Sequence, residues 1–443
     1  MTVREKLGRD SPLGLQPGDP IGLLGPQEWM AAPETQAVIR ALGADGAHVR
    51  FVGGCVRDSV LKRPIKDIDI ATPDPPERVL ALLDDHGIHA IPTGIDHGTV
   101  TAVIGKAHFE ITTLRRDVES FGRHARIEYT DDWRVDASRR DFTMNALSAD
   151  PQGRIYDPFD GLADLGAGRV RFVGDPFQRI EEDALRLLRF FRFHAHYGRR
   201  TNMDDRALVA CRKMAHKLNT LSGERVAGEL LRLLLAYDPA SVLLTMYGLG
   251  ILAYLLPDAK NFGRLRVLSW LESRGLARDE VQPDAIRRLA AMLTTDQAGA
   301  EAAGERLKLS GSQTKRLAAM AAPRVAMGPD LDAAVLRRAL RRLGGDEVRD
   351  LTLLAWAERR SLNARLSAAE TKGWVAALDT ARDWVPVDLP VKGRDIMALG
   401  VGHGPEIGRL LAGIEAWWEE CDYRPDRAAC LAELGRMVKA SSA

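Results

Sequence analysis

The sequence predicts an α+β protein in which a strand-rich N-terminal head precedes an all-helical remainder. Residues 48–159 contain short apolar segments that alternate with period two, such as HVRFV, DIDIAT and GTVTAVI. From residue 164 onward the apolar residues recur at helical spacing, as in ERVAGELLRLLLAY. At 443 residues the chain is too long for one compact core, so we expect about two to four domains.

The head is predicted to be a small mixed sheet with one intervening helix. Strands are expected at residues 48–52, 67–72, 98–104, 108–115 and 126–130, a helix at 76–86, and a hairpin around the Pro-Gln-Gly turn at 151–153. We assign residues 1–28 to a loosely ordered extension rich in Pro and Gly, and residues 29–163 to the head. The helical part divides into a neck at 164–237 and a body with tail at 238–443.

The overall composition limits the kinds of partner that the protein can bind and the cellular compartment that it can occupy. The formal net charge is +1, so a nucleic-acid partner needs clustered arginines, such as those of residues 179–217, rather than a globally basic surface. The four cysteines lack metal-ligand spacing, which favours a reducing cytoplasm. Residues 240–257 are uncharged, but Gly248 and Gly250 interrupt them, so we predict two buried helices and no membrane association.

A candidate phosphate-binding turn follows the first predicted strand. Gly53 and Gly54 allow the backbone to approach a polyphosphate without interference from a Cβ atom. Arg57 comes one turn later, where a guanidinium can donate two parallel hydrogen bonds to phosphate oxygens. Taken alone, two glycines after a strand usually mark only a turn.

Two carboxylates on the next strand make phosphate chemistry the better interpretation. Side chains alternate along a strand, so Asp67 and Asp69 are predicted to project to one side and Ile68 and Ile70 to the other. Carboxylates about 6 to 7 Å apart suit Mg²⁺ ions that contact the attacking and leaving oxygens of a phosphoryl transfer. The alternative is a solvated edge strand, which the glycines and Arg57 make less favourable.

These motifs resemble a known family. GGxVRD followed by DxDxxT is similar to the signature of the class II tRNA nucleotidyltransferases and bacterial poly(A) polymerases. The resemblance implies a polymerase-β-like head, a triphosphate site at Gly54 and Arg57, and Mg²⁺ held by Asp67 and Asp69. It also implies a third catalytic carboxylate and two supporting residues from the first motif: Glu110, Gly53 and Asp58.

The segment SRRDFTMNAL matches the next motif of the same family. The resemblance implies that Arg140 contacts the nucleotide, while Asp141 and Asn145 order the site. Read without the family, the same residues could be a capped helix with solvated arginines. Residues 116–136, between the metal strands and this motif, resemble the family's flexible loop, which favours addition of the final adenosine.

The segment EDALRLLRFFRF carries a candidate base-selecting pair. Asp183 and Arg186 lie three residues apart and are predicted to share one helix face, so they offer one acceptor and one donor fork. Cytosine and adenine each present an amino donor beside a ring-nitrogen acceptor, whereas uracil and guanine present a carbonyl beside an N–H. The alternative is a surface ion pair on an amphipathic helix. The family motif EDxxRxxRxxR favours nucleotide recognition and adds Arg189 and Arg192 as nucleotide contacts.

A neck motif supports the same assignment. SGERV resembles a family element that stabilises the nucleotide-recognition helix, which implies supporting roles for Glu224 and Arg225. The helices beyond the neck are expected to bind RNA, although arginine-rich faces could equally be solvated surfaces, as at Arg337, Arg338, Arg341 and Arg342.

The motifs together predict a template-independent nucleotidyltransferase. It would add or repair the 3′-terminal CCA of tRNA with CTP and ATP, release pyrophosphate, and need no obligatory protein partner. One alternative is a poly(A) polymerase, which usually has a basic RRFRLxHV-type segment where this chain reads HAIPTGIDHGTVTAV. An alternative of another class is a non-catalytic RNA-binding protein on the same scaffold.

Overall fold

The computed structural model describes residues 18–121, 124–199, 203–276, 278–363 and 365–442. The chain forms two compact units, Met1–Pro257 and Asp258–Ala443. The first unit contains the mixed sheet that the alternating segments predict, whereas the second is built from helices. No helix in the described ranges is both long enough and apolar enough to span a bilayer.

The strands of the first unit form one eight-stranded sheet and one hairpin. They are β1 (Gly22–Leu23), β2 (Arg50–Val52), β3 (Ile68–Thr72), β4 (His89–Gly94), β5 (Thr99–Ile104), β6 (Ala107–Thr113), β7 (Arg115–Phe121), β8 (His124–Tyr129), β9 (Ser148–Ala149) and β10 (Arg154–Tyr156). The sheet order is β1-β10-β9-β2-β3-β6-β5-β4, and β7 pairs with β8. The β3–β6 pair is parallel and every other named pair is antiparallel.

The helices of the first unit cover the sheet and continue into the neck. They are α1 (Glu28–Ala31), α2 (Pro33–Leu42), α3 (Gly54–Val60), α4 (Pro76–Asp85), α5 (Trp133–Ser138), α6 (Gly161–Ala167), α7 (Pro176–Glu182), α8 (Leu185–Tyr197), α9 (Asp205–Met214), α10 (Gly223–Leu234) and α11 (Pro239–Gly248). Short 3₁₀ turns occur at Ile95–His97, Thr143–Asn145, Ala215–Thr220 and Leu252–Tyr254.

An aromatic cluster joins the head to α8. Phe142 lies 4.9 Å from Phe172 and 5.1 Å from Phe193, measured between ring centroids, and Phe172 stacks on Phe190 at 5.7 Å. The rings of Phe142, Phe172 and Phe190 are fully buried. Such pairs contribute roughly 0.5 to 1.5 kcal/mol each beyond their buried area. The cluster therefore fixes α8 against the segment that precedes β9.

The second unit is an array of ten helices in the described ranges. They are α12 (Phe262–Trp270), α13 (Ala285–Met292), α14 (Gln297–Arg306), α15 (Gly311–Ala321), α16 (Ala333–Leu343), α17 (Gly345–Leu362), α18 (Ala368–Asp383), α19 (Gly393–Ala398), α20 (Pro405–Glu420) and α21 (Arg427–Ser442), with a π-helical turn at Leu271–Gly275. Its core includes a buried ionic network. Arg287 donates to Glu272 at 2.7 Å and to Asp350 at 2.9 Å, and the fully buried Arg288 also donates to Glu272.

The arginine-rich face of α16 is engaged in ion pairs within the second unit. Arg337 donates to Asp422 at 2.5 Å, and Arg341 pairs with Glu415 and with Glu419. Arg342 also pairs with Glu419, at 2.8 Å. These guanidinium groups therefore stabilise the packing of α16 against the region of α20, so they are not simply solvated.

The predicted head strands are confirmed, and three further strands appear. β4 contains Pro92 and forms an edge of the sheet, where the missing N–H of a proline is tolerated. β1 pairs with β10, so the predicted extension of residues 1–28 has to be shortened, and its residues 1–17 lie outside the described ranges. β7 and β8 form a hairpin within residues 116–136, where a flexible loop was expected.

The segment that follows the predicted neck at 164–237 packs within the first unit, which extends to Pro257. α11 packs against α8, and the turn at Leu252–Tyr254 packs against the turn at Ala215–Thr220. The helical segment predicted at residues 240–257 thus belongs to the first unit.

Candidate functional site

A cavity of about 460 Å³ lies where the head meets α8 and α10. Its lining consists of Gly53, Gly54, Arg57, Asp69, Arg140, Asp141, Asn145, Asp183, Leu185, Arg186, Arg189, Phe193 and Arg225. Most of the predicted site residues are therefore brought together around one space. Five predicted site residues lie within the described ranges but outside this lining: Asp58, Asp67, Glu110, Arg192 and Glu224.

The glycine turn between β2 and α3 needs glycine at its first position. Gly53 has a φ of +69°, and a Cβ atom there would lie 3.1 Å from the Nη1 atom of Arg140. Its N–H donates to the carbonyl of Leu147 at 3.0 Å, which ties the turn to the start of β9. Gly54 opens α3, whose first N–H groups lack acceptors within the helix. The N–H of Gly53 is thus engaged within the protein, whereas that of Gly54 lies in the first turn of α3, where it can donate to a ligand in the cavity.

Arg57 is buried and held by two neighbouring side chains. Its Nε and Nη2 atoms donate to the carboxylate of Asp58 at 3.0 and 2.7 Å, and its Nη1 atom donates to Asn145 Oδ1 at 2.6 Å. These bonds use three of the five N–H groups of a guanidinium. The other two remain for a ligand in the cavity, and the orientation of the group is already fixed.

Three carboxylates lie on the acidic side of the site. Asp69 on β3 is directly paired with Glu110 on β6, and Asp67 immediately precedes the first residue of β3. Burial and the Glu110 charge raise the pKa of Asp69 to about 6, against the opposing charges of Arg140 and Arg57. Within the described ranges, no hydrogen bond or ion pair engages the carboxylates of these three residues.

The donor set fits a divalent cation that the substrate helps to bind. Across the described residues, no three His, Cys, Asp or Glu side chains converge into a metal site. A hard cation such as Mg²⁺ is commonly held by one or two carboxylates together with substrate phosphates and water. Burial first, and the Glu110 charge second, disfavour the ionised form of Asp69 and raise its pKa, and a bound divalent cation would offset both.

The segment before β9 contributes a buried carboxylate. Asp141 accepts hydrogen bonds from Asn145 Nδ2 at 2.9 Å and from Arg189 Nε at 2.7 Å. Burial alone would raise its pKa, but the Arg189 charge and the Asn145 hydrogen bond bring the pKa below its usual range. Asp141 therefore stays ionised and links this segment to α8. Arg140 reaches the cavity and pairs with Asp136 at 3.3 Å.

The predicted helix through Asp183 and Arg186 is interrupted. α7 ends at Glu182 and α8 begins at Leu185, so Asp183 lies at the break rather than on a helix face. One Asp183 oxygen accepts from the Leu185 N–H at 3.1 Å, and the other accepts from Arg225 Nη2 at 2.7 Å. Arg186 donates to Glu182 instead. The two residues do not pair with each other, and both face the cavity.

The remaining arginines of α8 are matched by carboxylates. Arg189 lines the cavity and pairs with Asp141 at 2.6 Å, whereas Arg192 donates to Glu229. Glu229 is only 2% exposed, while Glu224, which the motif predicted as a support, is exposed in the first turn of α10. Glu229 is thus the glutamate of α10 that contacts α8. Its i+5 spacing from Glu224 places it on a different face of α10.

Sequence reasoning missed two further residues that organise the site. The buried Asp136 accepts from Arg139 Nε at 2.8 Å and also holds Arg140. The buried Arg179 donates to the carbonyls of Arg139 and Arg140. Burial and the nearby Arg186 lower the pKa of Arg179 to about 10. The i,i+4 spacing of Asp136 and Arg140 was a sequence signal that could have indicated Asp136. No local sequence signal indicates Arg179.

Comparison with known proteins shows which family this chain resembles. Residues 49–171 match the family model "Poly A polymerase head domain", and residues 202–262 match "Probable RNA and SrmB- binding site of polymerase A". The chain is 32% identical over 397 residues to the mitochondrial CCA tRNA nucleotidyltransferase 1 of Danio rerio, covering 88% of this chain and 87% of that protein. It is 30% identical over 420 residues to the CCA-adding enzyme of Lactococcus lactis, covering 93% and 98%.

The fold agrees with the sequence comparison. The crystal structure of the Bacillus stearothermophilus CCA-adding enzyme in complex with CTP superposes with a TM-score of 0.74 at 26% identity, covering 93% of this chain and 99% of that one. A Thermotoga maritima CCA-adding enzyme complexed with tRNA shares the fold at a TM-score of 0.60 and 18% identity. With relatives that match over nearly their whole length, the chain belongs to the CCA tRNA nucleotidyltransferase family.

Proposed function

We propose that this protein adds or repairs the 3′-terminal CCA of tRNA, using CTP and ATP and releasing pyrophosphate. The observation that carries the proposal is the single cavity that combines the glycine turn with Arg57, the acidic residue Asp69, and the pair Asp183 and Arg186. These are a triphosphate site, a metal-binding carboxylate and a base-selecting pair. The CCA-adding relatives match over most of their length, which supports the same substrate.

The triphosphate is proposed to lie against Gly54 and Arg57. Arg57 keeps two N–H groups for phosphate oxygens, while Asp58 and Asn145 hold its plane. Arg140 adds a second positive charge at the same wall of the cavity. Because both guanidinium groups are positioned before the nucleotide arrives, little ordering entropy is lost on binding.

The base is proposed to be read by Asp183 and Arg186. Arg225 holds the Asp183 carboxylate, which keeps an acceptor position for the base edge. Glu182 holds the Arg186 guanidinium, which keeps N–H donors for the same edge. Cytosine and adenine match this pattern, whereas uracil would leave buried polar groups unpaired at a cost of about 1 to 3 kcal/mol each. Selection without a template follows from these two side chains.

The divalent cation of this family is proposed to be Mg²⁺, held by Asp67 and Asp69, with Glu110 beside them. When bound, the ion would polarise the terminal ribose hydroxyl and the α-phosphate. In the reaction the 3′ oxygen of the RNA forms a bond to the α-phosphorus. The bond between that phosphorus and the oxygen that bridges it to the β-phosphate breaks, and pyrophosphate leaves. The protein contributes mainly positioning and charge neutralisation.

The rest of the chain is proposed to bind the tRNA. Residues 164–237 would serve as the neck that presents the recognition helix, and the helices beyond it as the RNA-binding body and tail. A reducing cytoplasm is proposed as the compartment, which is supported by four free cysteines, three of them buried.

One assay tests the proposal. A tRNA that lacks CCA is incubated with each NTP alone and with CTP plus ATP, and the products are resolved at single-nucleotide resolution. The expected result is a stop after three added nucleotides, dependent on Mg²⁺ and abolished by EDTA. A long adenosine ladder would instead identify a poly(A) polymerase, and tRNA binding without incorporation would identify a non-catalytic RNA-binding protein.

A further inference from the structure

Tyr197, at the C-terminal end of α8, contacts the arginine that is proposed to bind the triphosphate. The Arg57 Cζ atom lies over the Tyr197 ring, 4.3 Å from its centroid. The Tyr197 hydroxyl donates to Asp58 Oδ1 at 3.0 Å, and that same carboxylate accepts two hydrogen bonds from Arg57. Tyr197 therefore contacts both the guanidinium and the carboxylate that orients it.

The surroundings of the ring show why these contacts matter. A second cation, Arg63, also lies over the Tyr197 ring, at 4.5 Å, and donates to the His196 carbonyl at 2.9 Å. A guanidinium over an aromatic face is attracted by the ring's quadrupole, and the attraction is stronger where the cation is desolvated. If the ring were absent, both cations would lose this face, and Arg57 would be held only by Asp58, Asn145 and the more distant Phe193 ring, 5.3 Å away.

The hydroxyl is suited to its role as a donor. Burial and the nearby Asp58 raise the pKa of Tyr197, so the phenol stays protonated and can donate to the carboxylate. One oxygen of Asp58 thus accepts from the neutral Tyr197 hydroxyl. Both oxygens of Asp58 accept from Arg57 and so align its guanidinium. The geometry leaves Arg57 with one preferred plane.

We propose that Tyr197 is the positioning residue of Arg57, and that its ring and hydroxyl fix the guanidinium for the triphosphate of the incoming nucleotide. The inference rests on the proposed function, because it assumes that Arg57 binds the triphosphate. Tyr197 acts through Arg57 and touches no nucleotide itself. It follows that its effect is the same for CTP and ATP and does not depend on the base.

The chain provides a matched control. Tyr156 on β10 has the same chemistry away from the cavity: its hydroxyl donates to Asp150 at 3.2 Å, and the Arg50 Cζ atom lies 3.5 Å from its ring centroid. Tyr156→Leu and Tyr197→Leu therefore remove equivalent contacts. Only the second removes them from an arginine that lines the cavity.

The test is steady-state CTP and ATP incorporation into tRNA by the full-length variants, with cytidine as a competitive inhibitor that lacks phosphates. Tyr197→Leu is expected to raise the KM for both nucleotides about tenfold, and Tyr197→Phe, which keeps the ring, only about threefold. The inhibition constant of cytidine and the preference for CTP over UTP stay unchanged. Tyr156→Leu lowers the melting temperature without changing either KM.

Two outcomes would overturn the inference. One is an unchanged KM in both Tyr197 variants; the other is a loss of cytidine binding equal to the loss for CTP, which would indicate general damage to the site. Arg57→Ala separates this failure from that of the proposed function. If Arg57→Ala raises the KM and the Tyr197 variants do not, only the role of Tyr197 is refuted. If Arg57→Ala also leaves the KM unchanged, the triphosphate site itself is refuted.

Discussion

Two sides of the cavity differ in how their charges are compensated: the acidic wall, which is Asp69 of the lining with Asp67 and Glu110 beside it, and the arginine wall, which is Arg189 of the lining with Arg192 beside it. On the sheet side, Asp69 and its neighbours Asp67 and Glu110 have no hydrogen-bonded or ion-paired partner among the described residues. On the helical side, Arg189 and Arg192 are matched by buried carboxylates. The charges of the arginine wall are thus compensated within the folded protein, whereas those of the acidic wall are left for the proposed cation to compensate.

This difference implies that a carboxylate serves opposite purposes on the two walls. A buried acid beside arginines stabilises the folded protein, and its removal leaves an uncompensated cation. An acid beside other acids destabilises the folded protein until a ligand neutralises it. The same chemical change, from carboxylate to amide, should therefore have opposite effects on stability and unequal effects on activity.

The largest expected effect is on catalysis at the acidic wall. Asp67→Asn and Asp69→Asn are each expected to lower nucleotide incorporation by at least about 10³-fold, because they remove the proposed metal-binding carboxylates. The measurement is single-turnover CTP incorporation with saturating Mg²⁺. Retained turnover with an unchanged circular dichroism spectrum would contradict the metal assignment.

The next effect is on stability at the arginine wall. Glu229→Gln is expected to lower the free energy of unfolding by about 3 kcal/mol, because Arg192, whose side chain is only 12% exposed, then loses its buried counter-ion. The matched control is Glu224→Gln on the same helix, where the side chain is exposed and a change within about 0.5 kcal/mol is expected. Urea unfolding measures both. Equal losses in the two variants would show that Glu229 has no special role.

A smaller effect is expected on base choice. Asp183→Ala should raise UTP incorporation relative to CTP by about 10- to 100-fold, because the acceptor that disfavours uracil is gone. Competition between CTP and UTP in one reaction measures the ratio. A variant that still rejects UTP as well as the parent would show that Asp183 does not read the base.

The comparison also shows which parts of the site could be predicted from the sequence. The glycine turn, Asp69 and Asp141 were found because their signals are local: a strand, a turn and short motifs. The break at Asp183 was not found, since the apolar spacing continues through it; Asp183 there accepts from the nearby Leu185 N–H and from a distant partner, Arg225. Likewise, tertiary packing alone decides that Glu229 rather than Glu224 meets α8.

The fold shows the same division between local and distant causes. Strands with clear alternation were predicted, whereas β1 forms only because β10 offers it a partner far along the chain. β4 carries a proline that argues against a strand unless its place at the sheet edge is known. The sequence therefore could not predict mainly which elements pair with each other when they are distant in the chain.

The smallest expected effect sharpens the contrast between the walls. In the presence of a chelator, Asp69→Asn is expected to raise the free energy of unfolding at pH 7 by about 1 to 2 kcal/mol, although it abolishes activity. The folded-state pKa of Asp69 is raised from 3.8 to about 6, so the folded protein holds this proton more tightly than the unfolded chain. Ionisation therefore costs stability as the pH rises from about 4 to 6, and the cost is constant above that window.

The pH profile of the difference between the two proteins isolates this group. Near pH 4 the parent and Asp69→Asn should be equally stable, because Asp69 is protonated in the folded protein. The advantage of the variant should then grow up to about pH 6. Added Mg²⁺ should stabilise the parent but not the variant, since a cation that binds only the folded carboxylate shifts the unfolding equilibrium. A variant less stable than the parent at pH 7 would mean that Asp69 has a compensating partner, and the two walls would then not differ in the way proposed.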